Sequence, residues 1–294
     1  AALYRSVLPA ENLLLVNTPT RFNSETTKNL ARRLAENLEA PFVELPIDSF
    51  INETVSQIDD LQIPSPSDMK TLHLTGFMKE NIQARDRSTR ILATLSSAFG
   101  GIFTCNANKT ELTVGYGTLY GDLSGAFAAT ADLWKHQIYA LGRTLNRYFD
   151  KNMIPDEIFT VRPSAELSEN QDITKGLGDP LIYEYHDFLF RSFIEPWNRI
   201  TPEEILTWYS ENCLEEKLGT PVSIKSIFKT HHDFITDLEK WWNLFAGFAV
   251  AKRIQAPPLL AVSRRPYGYD LRESQIAPYY TCLLYTSPSP RDTR

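Results

Sequence analysis

The sequence predicts an α/β fold, in which helices flank a parallel sheet and a helical C-terminal region follows. The first observation is the strand–helix–strand order of residues 13–17, 24–38 and 40–45, because two strands joined in this way need a right-handed crossover and run parallel. The second is another strand-to-helix transition across a polar turn, at residues 102–112. The third is the mostly helical, aromatic-rich pattern of residues 183–242.

Short apolar runs and a capping signal predict the first strand–helix–strand unit. Leu13 to Asn17 is an apolar run that ends before a proline, which is typical of a buried strand. Asn23 and Ser24 are good N-cap residues for a helix that ends at Leu38, and leucines spaced by four give this helix one apolar stripe. Ala40 to Leu45 is the second predicted strand.

The later elements are read from the same patterns. Residues 52–70 are polar and contain prolines and serines, so an irregular excursion is expected there. Residues 81–99 and 132–148 are predicted helices. No internal repeat and no strong boundary interrupts the chain, so residues 1–281 are expected to form one domain.

Composition excludes several classes of protein. The 294 residues have a net charge of −6 and 43% hydrophobic residues, which favours a folded domain over disorder and over binding to a nucleic-acid backbone. The three cysteines are widely spaced and suggest neither a disulfide framework nor a zinc site. No apolar run has the roughly 20 residues that a membrane helix needs. These features predict a cytoplasmic protein.

The stretch from Gly101 to Asp122 is the part of the sequence expected to touch a substrate. An apolar run of strand type, Ile102 to Cys105, is followed by a polar turn and a helical pattern, and the stretch ends in a loop rich in glycine and tyrosine. Ligands in open α/β sheets bind beside the carboxyl ends of the strands. Glycines in such a loop allow the backbone to approach a ligand closely.

Four segments in order carry a family resemblance. The segment NKTELTVGYGTLYGD at residues 108–122 resembles the NAD synthetases, in particular the synthetase domain of the bacterial glutamine-dependent form. ENIQAR at 80–85, RPSAEL at 162–167 and KRIQAPP at 252–258 agree with that family in order and spacing. The resemblance implies a Rossmann-like fold of the ATP pyrophosphatase type, similar to the adenine nucleotide α-hydrolases.

The same resemblance implies a reaction and its partners. In this family ATP adenylates the nicotinate carboxylate of deamido-NAD, and ammonia then converts the adenylate to NAD, with Mg²⁺ assisting. An upstream glutaminase domain supplies the ammonia, and family members are usually homo-oligomers. Such chemistry depends on positioning and on charge neutralisation more than on a protein nucleophile.

Three residues are expected at ATP by resemblance, namely Asn106, Lys135 and Ser164. Asn106 stands where many members have threonine, so its contact is expected to differ. Without the resemblance, Lys135 would be assigned to a surface ion pair with Asp132, three residues earlier, worth less than about 1 kcal/mol.

Nine residues are expected at deamido-NAD by resemblance, and one of them also at the metal. Asn81 and Arg85 share a helix face, which would otherwise be a solvated polar face. Glu111 is also expected to bind Mg²⁺, although Asn-x-x-Glu is equally the pattern of a capping box. Short-form family members have a lysine at the position of Leu119, which this chain lacks. The full set is Asn81, Arg85, Glu111, Tyr116, Gly117, Thr118, Leu119, Asp122 and Lys252.

Two departures from the family pattern bear on activity. The sequence contains no Ser-Gly-Gly-x-Asp-Ser motif, whose amides hold pyrophosphate and whose aspartate helps to hold Mg²⁺. Ala1 to Leu8 resembles the helix that follows this motif, so an N-terminally truncated fragment with impaired activity is expected. Residues 282–294 resemble a translated sequencing adaptor, with a natural flexible tail as the alternative.

Two other functions stay open at this point. One is a different ATP pyrophosphatase-type ligase, such as a GMP synthetase or a tRNA-modifying relative, although the acidic pI near 5.5 disfavours tRNA. The other is a non-catalytic nucleotide-binding module that naturally lacks the phosphate loop. The five histidines form no metal-binding set, and no Ser-His-Asp arrangement or Gly-x-Ser-x-Gly motif suggests nucleophilic hydrolysis.

Overall fold

Two short parallel strands and the helix that joins them begin the fold. After α1 (Ala2–Arg5), β1 (Leu15–Asn17) pairs in parallel with β2 (Phe42–Glu44), and α2 (Glu25–Asn37) makes the crossover. The Ser24 hydroxyl caps α2 by accepting a hydrogen bond from a backbone amide of its first turn. The computed structural model, which describes residues 1–66 and 68–271, therefore confirms the predicted strand–helix–strand unit and its cap.

The prediction of an irregular segment at residues 52–70 is wrong. The chain there forms a helix and an antiparallel hairpin, namely α3 (Asp48–Ile58), β3 (Gln62–Pro64) and β4 (Met69–Thr71). Apolar side chains at helical spacing give α3 a face that packs inward, and Ile51 is buried there. This stripe decides the structure of the segment, although polar residues dominate its composition.

The predicted helix at residues 81–99 is present, but it begins earlier and is not uniform. It consists of α4 (Gly76–Arg85), a π-helical stretch (Asp86–Leu92) and α5 (Ala93–Phe99). The side chain of Thr75 caps its beginning. A π-helical stretch interrupts the regular ladder of the helix, and such stretches are often found near functional sites.

The predicted strand at residues 102–105 does not form. Its backbone is bonded to a later loop by two hydrogen bonds, from the Cys105 amide to the Phe127 carbonyl and from the Ala126 amide to the Phe103 carbonyl, each 3.0 Å long. In the described part of the chain, this segment makes no ladder with β1. A groove of about 760 Å³ lies between them, lined in part by Leu13–Asn17 and by residues 100–104.

The next two helices carry most of the predicted polar residues. α6 (Lys109–Val114) follows the polar turn as expected, and Gly115 ends it in the left-handed conformation. α7 (Lys135–Tyr148) begins three residues later than the pattern predicted. Asp132 does not begin the helix, because its side chain is buried and accepts a hydrogen bond from Lys109.

Residues 183–242 are mostly helical, as predicted, and the helices continue to Gln255. This region contains α8 (Tyr183–Ile194), α9 (Pro202–Ser210), α10 (Leu214–Leu218), α11 (Ile224–Ile227), α12 (His231–Ala246) and α13 (Ala249–Gln255). Aromatic side chains of α8 and α12 pack together, as in the contact of Phe190 with Trp241, whose ring centroids are 5.6 Å apart. Apolar side chains of α6 belong to the same core, so these helices pack on the elements that carry the predicted site.

Two hydrophobic clusters hold these parts together. The larger one includes buried side chains from α6, α8, α9 and α12. The smaller one lies beside α2, with Leu38 at its centre. α7 connects them, because Trp134 immediately before it belongs to the larger cluster and Leu145 near its end belongs to the smaller one.

Two expectations concern the membrane and the end of the chain. Across the described residues, no helix combines the length and the apolar character that crossing a bilayer requires. The adaptor-like segment at residues 282–294, together with Cys282, lies outside the described residues.

Candidate active site

Glu111 is the central residue of the candidate site, and a capping box holds it in the first turn of α6. The Asn108 side chain accepts a hydrogen bond from the Glu111 amide at 2.9 Å, and the Glu111 carboxylate accepts one from the Asn108 amide at 3.3 Å. The capping box predicted as one reading of this motif is therefore present. Burial raises the pKa of Glu111 to about 7, although the nearby charge of Lys135 opposes this change.

Lys135 lies beside this carboxylate. Its Nζ atom is 3.8 Å from Oε1 of Glu111 and 4.9 Å from the centre of the Tyr183 ring. The alternative ion pair of Lys135 with Asp132 is wrong. Asp132 instead accepts a hydrogen bond from Lys109 at 2.8 Å, and both of these side chains are fully buried.

The backbone of α7 is held in place by a second buried carboxylate, that of Asp187 on α8. It accepts hydrogen bonds from the Thr110 hydroxyl at 2.5 Å and from the His136 amide at 2.8 Å. The Thr110 hydroxyl in turn accepts one from the Lys135 amide at 3.2 Å. Asp187 thereby joins the start of α6, the start of α7 and α8 directly behind the Glu111–Lys135 pair.

A third buried carboxylate, Asp179, lies near Glu111 and raises its pKa further. It accepts hydrogen bonds from the hydroxyls of Tyr116 at 3.1 Å and Tyr183 at 2.9 Å, and from the Ala165 amide at 3.1 Å. Burial, followed by the charge of a nearby carboxylate, raises the pKa of both tyrosines well above the usual range. The two phenols therefore stay neutral and act as hydrogen-bond donors.

Sequence reasoning missed both aspartates. Asp179 stands in a Gly-Asp-Pro turn, and this was the only local signal of a special position. Asp187 lies in the middle of a helix, where its sequence neighbours give no sign of a buried carboxylate. Asp187 bonds to Thr110, 77 residues earlier, and Asp179 to Tyr116, 63 residues earlier, and no local pattern contains such contacts.

The loop that follows α6 brings several predicted residues together. The Thr118 amide donates to the Asp122 carboxylate at 2.9 Å, and the Thr118 hydroxyl donates to the Asn81 side chain at 2.7 Å. Arg85 donates to the Leu119 carbonyl at 3.2 Å. The predicted face of α4 and the loop from Gly115 to Asp122 therefore form one continuous wall.

Gly117 shows why this loop needs glycine. A Cβ atom at this position would lie 2.7 Å from Oδ2 of Asp122 and 2.8 Å from Cγ of Leu123. Burial raises the pKa of Asp122, against the lowering effect of the Thr118 hydrogen bond. The close approach of this carboxylate to the backbone excludes any side chain at Gly117.

Lys252 lies against the same loop from the side of α13. Its ammonium group donates hydrogen bonds to the carbonyls of Gly115 at 2.6 Å and Gly117 at 2.5 Å. Burial lowers the pKa of Lys252, while the charge of Asp122 opposes this change. In this geometry Lys252 braces the loop.

The two remaining predicted ATP residues are Asn106 and Ser164. Asn106 is exposed and lines the 760 Å³ groove. The Ser164 hydroxyl donates to the Gln171 carbonyl at 2.6 Å and accepts a hydrogen bond from the Glu166 amide at 3.1 Å. No described contact joins either of them to Lys135, so the structure does not bring the three predicted ATP residues together.

Metal binding was expected at Glu111. Mg²⁺ is commonly held by one or two carboxylates together with substrate phosphates and water, so the partly buried carboxylate of Glu111 fits one ligand position. Within residues 1–66 and 68–271, the cluster with ligand atoms close enough to hold an ion is a different one, Asp59, Asp60 and His73. Asp59 there is already bonded to Lys79 at 2.9 Å.

Comparisons with known proteins identify the family of this chain. The family model of NAD synthase matches residues 1–223. A glutamine-dependent NAD(+) synthetase from Thermotoga maritima is 32% identical over 205 residues, which are 70% of this chain and 33% of that protein. An NH(3)-dependent NAD(+) synthetase from Helicobacter hepaticus is 31% identical over 219 residues, which are 74% of each.

A solved structure shares the fold. The crystal structure of a glutamine-dependent NAD(+) synthetase from Cytophaga hutchinsonii superposes with a TM-score of 0.61 and 20% identity, covering 86% of this chain and 36% of that one. This likeness confirms the predicted α/β fold of the ATP pyrophosphatase type. The chain spans about one third of the length of the glutamine-dependent relative from Thermotoga maritima.

Proposed function

Because the chain belongs to the NAD synthase family, we propose that it takes part in the ATP-dependent amidation of deamido-NAD to NAD. A nicotinate carboxylate oxygen attacks the α-phosphorus of ATP, and the bond to pyrophosphate breaks. Ammonia then attacks the carbonyl carbon of the adenylate, AMP leaves, and the nitrogen loses a proton to give the amide. A glutaminase domain of a longer protein would supply the ammonia, and the assembly would be a homo-oligomer.

The observation that supports this reaction best is the pairing of Glu111 with Lys135 at the edge of a continuous wall. Lys135 offers a positive charge for phosphate oxygens, which accumulate negative charge during phosphoryl transfer. Its position is held by the buried Asp187 through Thr110. The reaction needs such positioned charges and no protein nucleophile.

Glu111 is the residue that we propose as a ligand of Mg²⁺. The ion would supply positive charge to the phosphates of ATP. Its presence would favour the ionised form of this carboxylate, whose pKa burial otherwise raises to about 7. The capping box holds one carboxylate oxygen against the helix end, which limits the rotation of the group.

The wall beside this pair suits the pyridine dinucleotide. The glycines of the Gly115–Asp122 loop let its backbone pack closely against Asp122, Leu123 and Ala249, which fixes the shape of the wall, and Tyr116 offers an aromatic surface. Asn81 and Arg85 provide an amide and a guanidinium for ribose and phosphate oxygens. We place Lys252 in a supporting role, because its hydrogen bonds go to the loop itself.

Turnover by this chain is expected to be impaired. The sequence lacks the Ser-Gly-Gly-x-Asp-Ser motif that holds the pyrophosphate part of ATP in the family. Phosphate contacts from Lys135 alone leave most of the charge on ATP without a partner. A nucleotide-binding module without catalysis stays the second candidate.

Calorimetry separates these proposals. Deamido-NAD is titrated into the purified chain and into the variants Glu111→Gln and Arg85→Ala, with Lys229→Met, at an exposed position, as the charge control. Each site variant is expected to weaken binding by about tenfold or more, since a hydrogen bond to a charged group contributes about 1.5–3 kcal/mol. Unchanged affinity in both site variants would contradict the proposed site. NAD formation from ammonium chloride then distinguishes an enzyme from a binding module.

A further inference from the structure

Arg87 is a charged residue near the candidate active site to which the proposed reaction gives no role. It lies in the π-helical stretch after α4, two residues beyond Arg85. Its Nε atom donates a hydrogen bond to the Thr18 carbonyl at 3.2 Å, immediately after β1. Ligands in α/β proteins bind beside the carboxyl ends of the parallel strands, so this guanidinium lies at the end of the sheet where a ligand is expected.

Four carboxylates lie near Arg87 without pairing with it. Burial lowers the pKa of Arg87, and the charges of these carboxylates oppose that change. They belong to Asp122, Asp86, Glu166 and Asp48. Asp86 pairs with Arg90 at 2.6 Å instead, and the Asp122 carboxylate accepts the hydrogen bond from the Thr118 amide. Within the part of the chain that the structure describes, Arg87 is therefore a half-buried cation without an ion pair.

The two terminal nitrogens of Arg87, Nη1 and Nη2, are available to a ligand. A guanidinium has five N–H donors, and the bond to Thr18 uses one of them. Among the described residues nothing accepts a hydrogen bond from Nη1 or Nη2, and both atoms keep some exposed surface. An anion that reaches a partly desolvated cation gains more than it would at a fully exposed arginine.

The bond to Thr18 also fixes the direction in which Arg87 presents these donors. Because a backbone carbonyl holds Nε, Nη1 and Nη2 form the free end of the guanidinium fork. Two parallel N–H groups match two oxygens of a phosphate or of a carboxylate. Arg85 bonds to the Leu119 carbonyl, and the charge of Asp122 acts on Arg87, so both arginines lie near the loop at Gly115–Asp122.

The nearby carboxylates decide which phosphate fits best. They repel an anion, and this repulsion grows with the charge of the anion. The triphosphate of ATP concentrates several negative charges, whereas each phosphate of a pyridine dinucleotide carries a single one. Among the four carboxylates, Asp122 has the largest effect on Arg87, and Asp122 belongs to the wall proposed for the dinucleotide. These observations favour a phosphate of the dinucleotide over those of ATP.

We propose that Arg87 binds a phosphate of deamido-NAD and is a further substrate-binding residue of the reaction proposed above, on which this assignment rests. Nη1 and Nη2 donate to two oxygens of one phosphate, and Nε remains bonded to Thr18. The pyrophosphate then lies between the end of β1 and the loop that ends at Asp122. The competing ligands are the nicotinate carboxylate of the same substrate and the phosphates of ATP.

Deamido-NAD and NAD are matched probes, because they share the pyrophosphate and differ only where the carboxylate becomes an amide. Calorimetry on Arg87→Ala is expected to show both dinucleotides binding about tenfold more weakly or worse, and ATP binding as before. Arg147→Ala, at an exposed position on α7, is the matched control and is expected to change none of the three affinities. A loss for deamido-NAD alone would assign Arg87 to the carboxylate, and a loss for ATP alone would assign it to ATP. Equal losses for all three ligands would indicate a structural role, and each of these results, like unchanged affinities, overturns the proposal.

Two further measurements cover failure to fold and failure of the proposed reaction. If Arg87→Ala does not fold, Arg87→Lys keeps the charge without the fork, and it is expected to weaken both dinucleotides but not ATP. Dimethyl phosphate, a singly charged probe, is expected to shift the ¹⁵Nε signal of Arg87 in the ¹⁵N-labelled wild-type chain. Such a shift in a chain that binds neither dinucleotide would support the phosphate site and contradict the proposed reaction. A signal that neither the dinucleotides nor dimethyl phosphate shift overturns the proposal.

Discussion

Glu111 is subject to two opposing effects at the scale of a single residue. The helix end and the hydrogen bond from the Asn108 amide favour its ionised form, and so does Lys135 at 3.8 Å. Burial has the larger effect and raises the pKa to about 7. The carboxyl is therefore balanced between its two protonation states near neutral pH, and a cation or a phosphate-bound metal ion can change that balance.

This balance predicts a pH-dependent cost in stability. In the unfolded chain a glutamate loses its proton near pH 4.3, whereas folded Glu111 keeps it up to about pH 7. The folded state binds more protons in this window, so this residue reduces the free energy of unfolding as pH rises through it. Glu111→Gln removes the effect, and its relative stability is expected to increase by roughly 3 kcal/mol between pH 4 and pH 8.

Urea unfolding of both proteins across this pH range measures the difference. Glu204→Gln is the matched control, because Glu204 occupies the same capping-box position on α9 but is exposed. The control reports the effect of the capping hydrogen bond alone. A stability difference between the wild-type chain and Glu111→Gln that stays constant with pH would contradict a raised pKa of Glu111.

At the scale of elements, the junction between α6 and α13 depends on Gly115. This residue has φ +67°, and a Cβ atom on it would lie 2.9 Å from the Ala249 backbone. Gly100 has a similar φ of +78° with nothing within 4 Å of the same position. The left-handed conformation alone costs a non-glycine residue roughly 1–2 kcal/mol. An alanine at Gly100 therefore measures this conformational cost alone, whereas an alanine at Gly115 adds the cost of the contact with Ala249.

We therefore expect Gly115→Ala to lower the free energy of unfolding more than Gly100→Ala does. Gly100→Ala should cost about 1 kcal/mol, and Gly115→Ala should cost at least 1 kcal/mol more, because α13 must move away. Denaturant unfolding measures both values. Equal losses in the free energy of unfolding would show that α13 moves away without cost and that the loop does not depend on close packing against α13.

Local signals predicted the elements whose ends are fixed by their own sequence. Ser24 caps α2 and Asn108 caps α6 through side chains within three residues, so their patterns were sufficient. Residues 102–105 were predicted as a strand from composition, but strand pairing depends on a partner, and their backbone bonds go to a loop more than 20 residues away. α3 was missed because its apolar stripe is short and surrounded by polar residues.

The candidate site was likewise predictable only where local sequence motifs define it. The structure brings Asn81 and Arg85 into contact with the loop that ends at Asp122, whereas the roles of these residues toward ligands stay predictions. The buried carboxylates behind this wall were not predictable. Their partners come from different helices, and only the folded arrangement makes their charges tolerable.

At the scale of the whole molecule, the two hydrophobic clusters predict unequal local stability. The larger cluster includes Phe190 of α8, and the smaller one includes Leu38 beside α2; both side chains are fully buried. A unit with fewer buried apolar contacts opens at a lower free energy. Backbone amides of β1, β2 and α2 should therefore exchange with solvent faster than those of α8 and α12.

Two substitutions of fully buried side chains test this inequality by hydrogen exchange. Leu38→Ala should cost about 2–5 kcal/mol and accelerate exchange in β1, β2 and α2 while α12 stays protected. Phe190→Ala should cost about 3–5 kcal/mol and accelerate exchange throughout the described elements, because it weakens the core on which the smaller unit also rests. Exchange of the α7 amides shows how far the two clusters are coupled, because Trp134 belongs to the larger cluster and Leu145 to the smaller one. Uniform acceleration by Leu38→Ala would mean that the two clusters open as a single cooperative unit.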